Sequence, residues 1–137
     1  MTRVLLVDDS PAVRAGLSLL LASTDGLLVV GMCTDGSEVV AAAAALAPDV
    51  IVMDIAMPGT DGIAATTALM AARPASRVLM LTTSVSGDAV LQAQRAGAQG
   101  YVLKGAHPEE LVDAIRTIAA GGTAWSHWAA ETLRHRG

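Results

Sequence analysis

Four short apolar runs in this chain each lead into side chains that can do chemistry. These side chains are two adjacent aspartates, a third aspartate, a threonine and the only lysine in the sequence: Asp8 and Asp9, Asp54, Thr82, and Lys104. Carboxylates are the ligands that hard divalent cations prefer, whereas an ammonium group binds phosphate oxygens as a point charge. The residue types therefore favour a pocket for a divalent cation and a phosphoryl group, if the fold brings them together.

The elements that must position these residues alternate between strand patterns and helical patterns. Strands are predicted at residues 4–7, 27–33, 50–53, 77–81 and 100–103, with a segment of helical apolar spacing after each of them. The run at 50–53 shows no polar alternation, which is typical of a strand buried on both faces. This pattern predicts an α/β fold with a doubly wound, five-stranded parallel sheet and helices on both faces.

The order of the strands decides whether the candidate residues meet. We predict the order 2-1-3-4-5, which places the first and third strands side by side where the order reverses. Ligands of open parallel sheets bind outside the carboxyl ends of the strands at such a point. This order brings Asp8, Asp9 and Asp54 together and places Thr82 and Lys104 along the same edge.

Composition excludes several classes of function. The chain has 137 residues, 53% of them hydrophobic, and a formal net charge of −4. The basic residues are scattered, which argues against a nucleic-acid-binding face on this domain, and no apolar stretch approaches the roughly 18 residues of a membrane span. Cys33 is the only cysteine, so no internal disulfide can form, and we expect a cytoplasmic protein without a membrane partner.

Taken together, these residues resemble the receiver domain of bacterial two-component response regulators. The motifs that carry the resemblance are Asp8 and Asp9; Asp54 with the following Met57-Pro58-Gly59 and Asp61-Gly62; Thr82; and Tyr101-Val102-Leu103-Lys104. The similarity runs from about residue 3 to residue 121. The stretch 97–104 is most similar to the NarL/FixJ-type subfamily, in which the receiver precedes a LuxR-type helix-turn-helix DNA-binding domain.

The resemblance implies a flavodoxin-like (βα)5 receiver fold for residues 1–121, with 122–137 as a C-terminal linker or extra helix and the output domain absent. It also implies a role for each matching residue. Asp54 would be the phosphoacceptor, Asp9 with help from Asp8 would hold Mg²⁺ beside Asp54, Thr82 and Lys104 would bind phosphoryl oxygens, and Tyr101 would be an aromatic switch residue.

The implied function is that of a response regulator. A sensor histidine kinase would donate the phosphoryl group, and the modified domain would switch a helix face that controls homodimerisation or a DNA-binding output. DNA would be contacted only through an output domain missing from this chain. The domain would catalyse its own phosphorylation and dephosphorylation without being a turnover enzyme.

Electrostatics supports these roles independently. Two carboxylates about 4 Å apart repel by roughly 4 kcal/mol at an effective dielectric of 20, which weakens either one as a nucleophile until a cation is bound. Mg²⁺ takes oxygen ligands and bridges carboxylates to phosphate. The backbone carbonyl of Ala56, two positions after Asp54, can complete the metal shell, and Lys104 supplies further positive charge.

Each of these residues also has a plainer interpretation. Asp8 and Asp9 could cap the first helix, Thr82 could be a satisfied hydroxyl and Lys104 a solvated surface residue. Tyr101 could be core filler; our hypothesis is that Thr82 moves toward the phosphoryl group and that Tyr101, beside the fourth and fifth helices, fills the vacated space. Near the C-terminus, four apolar residues are predicted on one helical stripe, which packs back on the domain or forms a dimerisation helix: Trp125, Trp128, Ala129 and Leu133.

Two other functions compete with the receiver interpretation. A phosphatase of the haloacid dehalogenase type also uses an aspartyl nucleophile, Mg²⁺ and a lysine, but its first strand should end in Asp-x-Asp, whereas Asp8 and Asp9 are adjacent. A receiver-like adaptor that is never phosphorylated would act by protein contact alone. That interpretation suits a broken acidic pocket, and here every expected acid is present.

Overall fold

The protein is built around a parallel sheet flanked by helices on both faces. The structure, a computed structural model, describes residues 1–136. The strands in that range are β1 (Thr2–Val7), β2 (Leu27–Cys33), β3 (Val50–Met53), β4 (Val78–Thr82), β5 (Gly100–Leu103) and β6 (Ala124–Trp125). The helices are α1 (Pro11–Ala22), α2 (Val39–Leu46), α3 (Gly62–Ala72), α4 (Gly87–Ala96), α5 (Pro108–Ala119) and α6 (His127–Arg136), with a short 3₁₀ turn at Gly36–Glu38 before α2.

The strand order is β2-β1-β3-β4-β5-β6, and every neighbouring pair is parallel. The predicted doubly wound fold and the order of its first five strands are therefore confirmed. The sequence pattern missed β6, whose two residues lie opposite Gly100 and Tyr101 of β5. A strand of two residues is too short to show the alternation by which a strand is recognised in a sequence.

The sheet separates two apolar cores. On one face, side chains of the central strands pack with α2, α3, α4 and α6, and on the other face they pack with α1 and α5. All residues of β3 and β4 are buried. Because both faces of the central strands are removed from water, burial of apolar surface holds these strands in place. Their carboxyl ends are thus fixed points from which side chains can project.

Caps determine where the helices next to the strand ends begin. Ser10 accepts a hydrogen bond from the amide of Val13 at the start of α1, and Asp61 does the same for Ala64 at the start of α3. Each cap satisfies one of the amide groups that a helix N-terminus leaves unpaired. The longest helices within residues 1–136, α1 and α5, have 12 residues each, and the described chain contains no helix with the length and hydropathy of a bilayer span.

The segment after Gly122 packs back on the domain. β6 extends the sheet beyond β5, and α6 then lies against α4 with Trp128, Ala129 and Leu133 at the apolar core. The prediction that Trp125 shares a helical stripe with Trp128 was wrong, because Trp125 lies in β6. The amides of Ala124 and Ser126 donate to carbonyls of Gln99 and Tyr101, each at 2.9 Å. Because these amides pair with β5, the chain around Trp125 forms a strand and not a helix.

Cys33 provides a test of how tightly the β2 end is packed. The thiol is buried, and burial, with a smaller effect from the charge of Glu38, raises its pKa from 9.0 to about 11. Only the thiolate is nucleophilic, so this rise predicts alkylation by iodoacetamide at pH 8 about 100-fold slower than in the urea-unfolded chain. Intact-mass time courses would measure both rates. Equal rates would show that the carboxyl end of β2 is open to solvent.

Candidate functional site

The carboxyl ends of four strands bring the candidate side chains to one edge of the sheet. Asp8 follows β1 and Asp54 follows β3, and the pairing of Val7 with Met53 in the last register position sets the two aspartates side by side. The amide of Asp54 donates to the carbonyl of Val7 at 2.9 Å. Parallel register of neighbouring strands therefore positions both carboxylates at the switch point of the sheet.

Lys104 joins these two carboxylates. Its Nζ lies 2.8 Å from Asp8 Oδ2 and 3.0 Å from Asp54 Oδ2, and it follows the end of β5. Asp8 and Asp54 are only 3% and 6% exposed. A buried carboxylate without a partner is costly, so one ammonium group offsets the charge of two acids that have little access to water.

The pKa of Lys104 reflects this environment. Burial alone would lower it, because desolvation disfavours the charged form. The hydrogen bonds to Asp8 and Asp54, followed by the charges of the same two residues, outweigh burial, and the pKa lies above its usual value. Lys104 is thus held as a cation at any physiological pH.

A third carboxylate completes an oxygen-lined group. Oxygen atoms of Asp8, Asp9 and Asp54 all lie within 4.8 Å of one another, with Asp9 exposed and the other two buried. Three carboxylates face one ammonium, so negative charge remains in excess. An all-oxygen donor set with excess negative charge and one solvent-facing member suits a hard divalent cation such as Mg²⁺. Ala56 lies in the exposed loop that follows Asp54.

Asp8 is held in place from several directions. Its Oδ1 accepts a hydrogen bond of 2.9 Å from the amide of Ser10, and its backbone carbonyl accepts one of 2.7 Å from the guanidinium of Arg14. The residue that caps α1 is Ser10, so the carboxylates of Asp8 and Asp9 are not consumed as helix caps. Sequence reasoning missed Arg14, because its guanidinium bonds to a backbone carbonyl and no side-chain motif records such a contact.

The loop after Asp54 depends on a glycine. A Cβ atom on Gly62 would overlap the backbone carbonyl of Asp54. The amide of Gly62 donates to the carbonyl of Ile55 at 2.9 Å, and the hydroxyl of buried Thr66 donates to the carbonyl of Gly62 at 2.7 Å. These contacts clamp the first turn of α3 against the backbone of Asp54 and so set the position of its carboxylate.

Thr82 lies at the end of β4, between the strands that carry Asp54 and Lys104. It is completely buried, its hydroxyl oxygen accepts a 3.2 Å hydrogen bond from the amide of Ser84, and its carbonyl accepts one of 2.9 Å from the amide of Lys104. The structure therefore places Thr82 in the same edge of the sheet, with its hydroxyl turned to the loop that leads into α4.

Tyr101 is fully buried on the face of the sheet that α4 and α6 cover. Its hydroxyl donates to the carbonyl of Ser84 at 2.9 Å, and its ring lies 6.0 Å from that of Trp128. Burial raises the pKa of the phenol, an interaction with the side-chain hydroxyl of Ser84 opposes this rise, and the charge of Asp54 adds to it. The prediction that Tyr101 lies beside α5 was wrong, because α5 packs with Val102 on the opposite face.

Comparison with known proteins agrees with this geometry. The family model described as response regulator receiver domain matches residues 4–116. The response regulator GacA of Pseudomonas viridiflava is 43% identical over 121 residues, which are 88% of this chain and 56% of GacA. The transcriptional regulatory protein LiaR of Bacillus subtilis (strain 168) is 41% identical over 88% of this chain and 57% of LiaR. The chain thus spans little more than half of these relatives.

A solved structure gives the same result. The crystal structure of a two-component response regulator of the LuxR family from Aurantimonas sp. SI85-9A1 superposes with a TM-score of 0.93 and 38% sequence identity. The match covers 98% of this chain and 97% of that one.

Removing the ammonium tests the electrostatic account of the site. Lys104→Ala leaves two buried carboxylates without a cation, and we expect it to lower the free energy of unfolding at pH 7 by about 2–4 kcal/mol. MgCl₂ should restore more stability in this variant than in the parent. Because the pKa of Lys104 is raised, its contribution is complete below about pH 10.5 and is lost as the pH rises through the folded value.

Urea unfolding with and without MgCl₂ measures these effects. The matched control is Arg134→Ala, which removes an exposed ion pair of 3.5 Å with Glu131 and should change stability by no more than about 0.5 kcal/mol. If Lys104→Ala cost no more than this control, the ammonium would not be offsetting buried charge.

Two glycine substitutions with opposite expected effects on stability test the contacts that clamp α3 against the backbone of Asp54. Gly62→Ala should destabilise the protein by about 1–3 kcal/mol, because its methyl group meets a backbone carbonyl that cannot move aside. Gly16→Ala, in α1 with nothing within 4 Å of the added atom, should stabilise it by roughly 0.5–1 kcal/mol. Thermal and urea unfolding of both variants supply the comparison. A stable Gly62→Ala protein would contradict the proposed close approach.

Proposed function

The chain belongs to the response regulator receiver domain family, and we propose that it accepts a phosphoryl group from a histidine kinase on Asp54 in a Mg²⁺-dependent reaction. The observation that carries this proposal is the meeting of Lys104 with Asp8 and Asp54 beside the exposed carboxylate of Asp9. Three carboxylates and one ammonium group lie together at one sheet edge, which supplies the groups that such a reaction needs.

In the proposed reaction, a carboxylate oxygen of Asp54 attacks the phosphorus of a phosphohistidine. The new P–O bond makes an acyl phosphate, and the imidazole leaves with the electron pair of the broken P–N bond. Phosphoryl transfer needs mainly positioning and neutralisation of charge. The Gly62 clamp and the register of β1 and β3 do the positioning, and Lys104 neutralises a phosphoryl oxygen.

Asp8, Asp9, Asp54 and the backbone carbonyl of Ala56 would hold Mg²⁺. When bound, Mg²⁺ supplies the positive charge that lets clustered carboxylates approach a phosphoryl group. Asp9 is the exposed member of the group, so it is the ligand through which the metal can exchange with solvent. The hydrogen bonds from Ser10 and Arg14 would hold Asp8 in the position from which it contributes to the metal site.

Thr82 and Tyr101 would convert phosphorylation into a change of surface. The hydroxyl of Thr82 would turn from the Ser84 amide to a phosphoryl oxygen, and this arrangement would favour the buried position that Tyr101 has in the structure. A switch of this kind works only because the phosphoryl group stabilises one of two arrangements more than the other.

In a longer regulator, this domain would control homodimerisation or a DNA-binding output. The relatives GacA and LiaR are named as a response regulator and a transcriptional regulatory protein, and this chain matches 56% and 57% of their lengths. DNA contacts would then come from an output domain, and the kinase would be met in the cytoplasm. The domain would act as a phosphoacceptor that promotes its own modification, not as a turnover enzyme.

The two competing functions fit the site less well. A dehalogenase-type phosphatase needs a second acid two positions after the first, and that position holds Ser10, which caps α1. An adaptor without phosphorylation has no need for a nucleophilic carboxylate held by an ammonium at 3.0 Å.

Acetyl phosphate provides the direct test. With MgCl₂, the protein should gain one phosphoryl group by intact mass, and none with EDTA or in Asp54→Asn. Asp9→Asn should need a higher Mg²⁺ concentration for the same yield, because it removes a metal ligand. The matched control, Asp113→Asn, changes an exposed acid on α5 and should behave like the parent.

Three results would contradict the proposal. These are labelling of Asp54→Asn, failure of the folded parent to label, and rapid multiple turnover of small phosphomonoesters, which would favour a phosphatase instead.

A further inference from the structure

We define the C-terminal latch as residues 124–135. It contacts Tyr101, which lies between the latch and the candidate site. We propose that docking of the latch is coupled to occupancy of the Asp54 site through a chain of contacts from Thr82 by way of Ser84 and Tyr101 to Trp128. This inference rests on the proposed role of Asp54 as phosphoacceptor. The latch would be a regulatory element whose docking depends on occupancy of the Asp54 site and in turn changes the affinity of that site.

The first link is Ser84, which forms hydrogen bonds with both Thr82 and Tyr101. Its amide donates to the hydroxyl oxygen of Thr82 at 3.2 Å, and its carbonyl accepts from the hydroxyl of Tyr101 at 2.9 Å. If the Thr82 hydroxyl turns to a phosphoryl oxygen, the Ser84 amide loses this partner and the loop has to adjust. The acceptor of Tyr101 belongs to the same residue, so the adjustment changes the bond that orients the phenol.

The second link is the contact between Tyr101 and the latch. The ring centroids of Tyr101 and Trp128 are 6.0 Å apart and their planes are inclined by 55°, an arrangement within the favourable range for aromatic pairs. The carbonyl of Tyr101 also accepts a 2.9 Å hydrogen bond from the amide of Ser126. Ring and backbone of Tyr101 thus both touch the latch.

Within the latch only Ala129 is buried, and the other residues from 124 to 135 are partly or fully exposed. Its strand, β6, has two residues, and its helix meets the apolar core through Trp128, Ala129 and Leu133. Elements with few buried apolar contacts open at a low free-energy cost. A coupling of the size that links sites in other proteins can therefore shift this equilibrium.

Trp128 also has space around it. Trp128, Ser126, Lys104 and Gly105 are among the residues that line a cavity of about 520 Å³. Trp128 also lines a second cavity of about 360 Å³ with Val85 at the entry to α4. Trp128 is only partly buried, and it lines the same cavity as the lysine of the candidate site.

The direction of the coupling follows from the buried position of Tyr101 together with the role proposed for it above. The docked latch covers Tyr101 in its buried position, so it stabilises the arrangement that phosphorylation is proposed to favour. Linkage is reciprocal: a phosphoryl analogue at Asp54 tightens the latch, and the latch tightens binding of the analogue by the same factor.

Beryllofluoride with MgCl₂ serves as the phosphoryl analogue, and Trp128 reports on the latch. In the full chain carrying Trp125→Phe, its emission should shift to shorter wavelength and acrylamide quenching should fall when the analogue binds. Calorimetric titration should show Trp128→Ala binding the analogue about 5-fold or more weakly. Trp128→Phe, which keeps an aromatic ring, should recover most of the affinity.

Controls separate the latch from general damage. His127→Ala, on an exposed α6 residue whose imidazole is 87% exposed, should bind the analogue like the parent. In a Thr82→Ala background, Trp128→Ala should have little further effect, because the first link is already broken. Leu133→Ala, which weakens packing of α6 by another contact, should lower affinity in the same direction and serves if Trp128→Ala fails to fold.

The outcomes distinguish the two proposals. If the folded parent bound no beryllofluoride, the phosphoacceptor function itself would be overturned. If the parent bound it while Trp128 exposure stayed constant and the Trp128→Ala and Leu133→Ala variants kept parental affinity, the latch would be overturned and the phosphoacceptor function would stand.

Discussion

The ion pairs of Lys104 with Asp8 and Asp54 are the interactions on which the architecture of the candidate site depends. Two carboxylates at the ends of neighbouring parallel strands, 3% and 6% exposed, would oppose the pairing of β1 with β3 if no cation faced them. The ammonium offsets that repulsion at 2.8 and 3.0 Å. The same arrangement leaves negative charge in excess, which makes the edge of the sheet receptive to a divalent cation.

The carboxyl edge of the sheet, which carries the candidate site, is connected more directly to one face of the sheet than to the other. Val102 points toward α1 and α5, whereas Tyr101, one residue earlier, points toward α4 and α6. Because side chains alternate between the two faces along β5, Tyr101 and Val102 contact different sets of helices. Because Tyr101 and Thr82 share Ser84 as a hydrogen-bond partner, the face with α4 and α6 has a direct polar connection to the site, and we place the proposed response there.

Much of this could be predicted before the structure. Unbroken apolar runs indicated buried parallel strands, and the residue after each run indicated a shared edge, so the fold class and the order of five strands were confirmed. Three features could not be predicted. β6 is too short to have a pattern, Trp125 belongs to it because its neighbours' amides bond to β5, and Arg14 reaches a backbone carbonyl, which no side-chain motif records.

Periodicity along the chain was enough for the fold class, because strand and helix patterns depend on neighbours in sequence, and the resemblance of the motif residues was enough for the family. Packing settled the rest: which carboxylate oxygen meets Lys104, which helices cover Tyr101, and that a tryptophan from the last helix lies against its ring. These are contacts between segments far apart in sequence. They depend on register, helix placement and the space left by other side chains, none of which is written in any single stretch of residues.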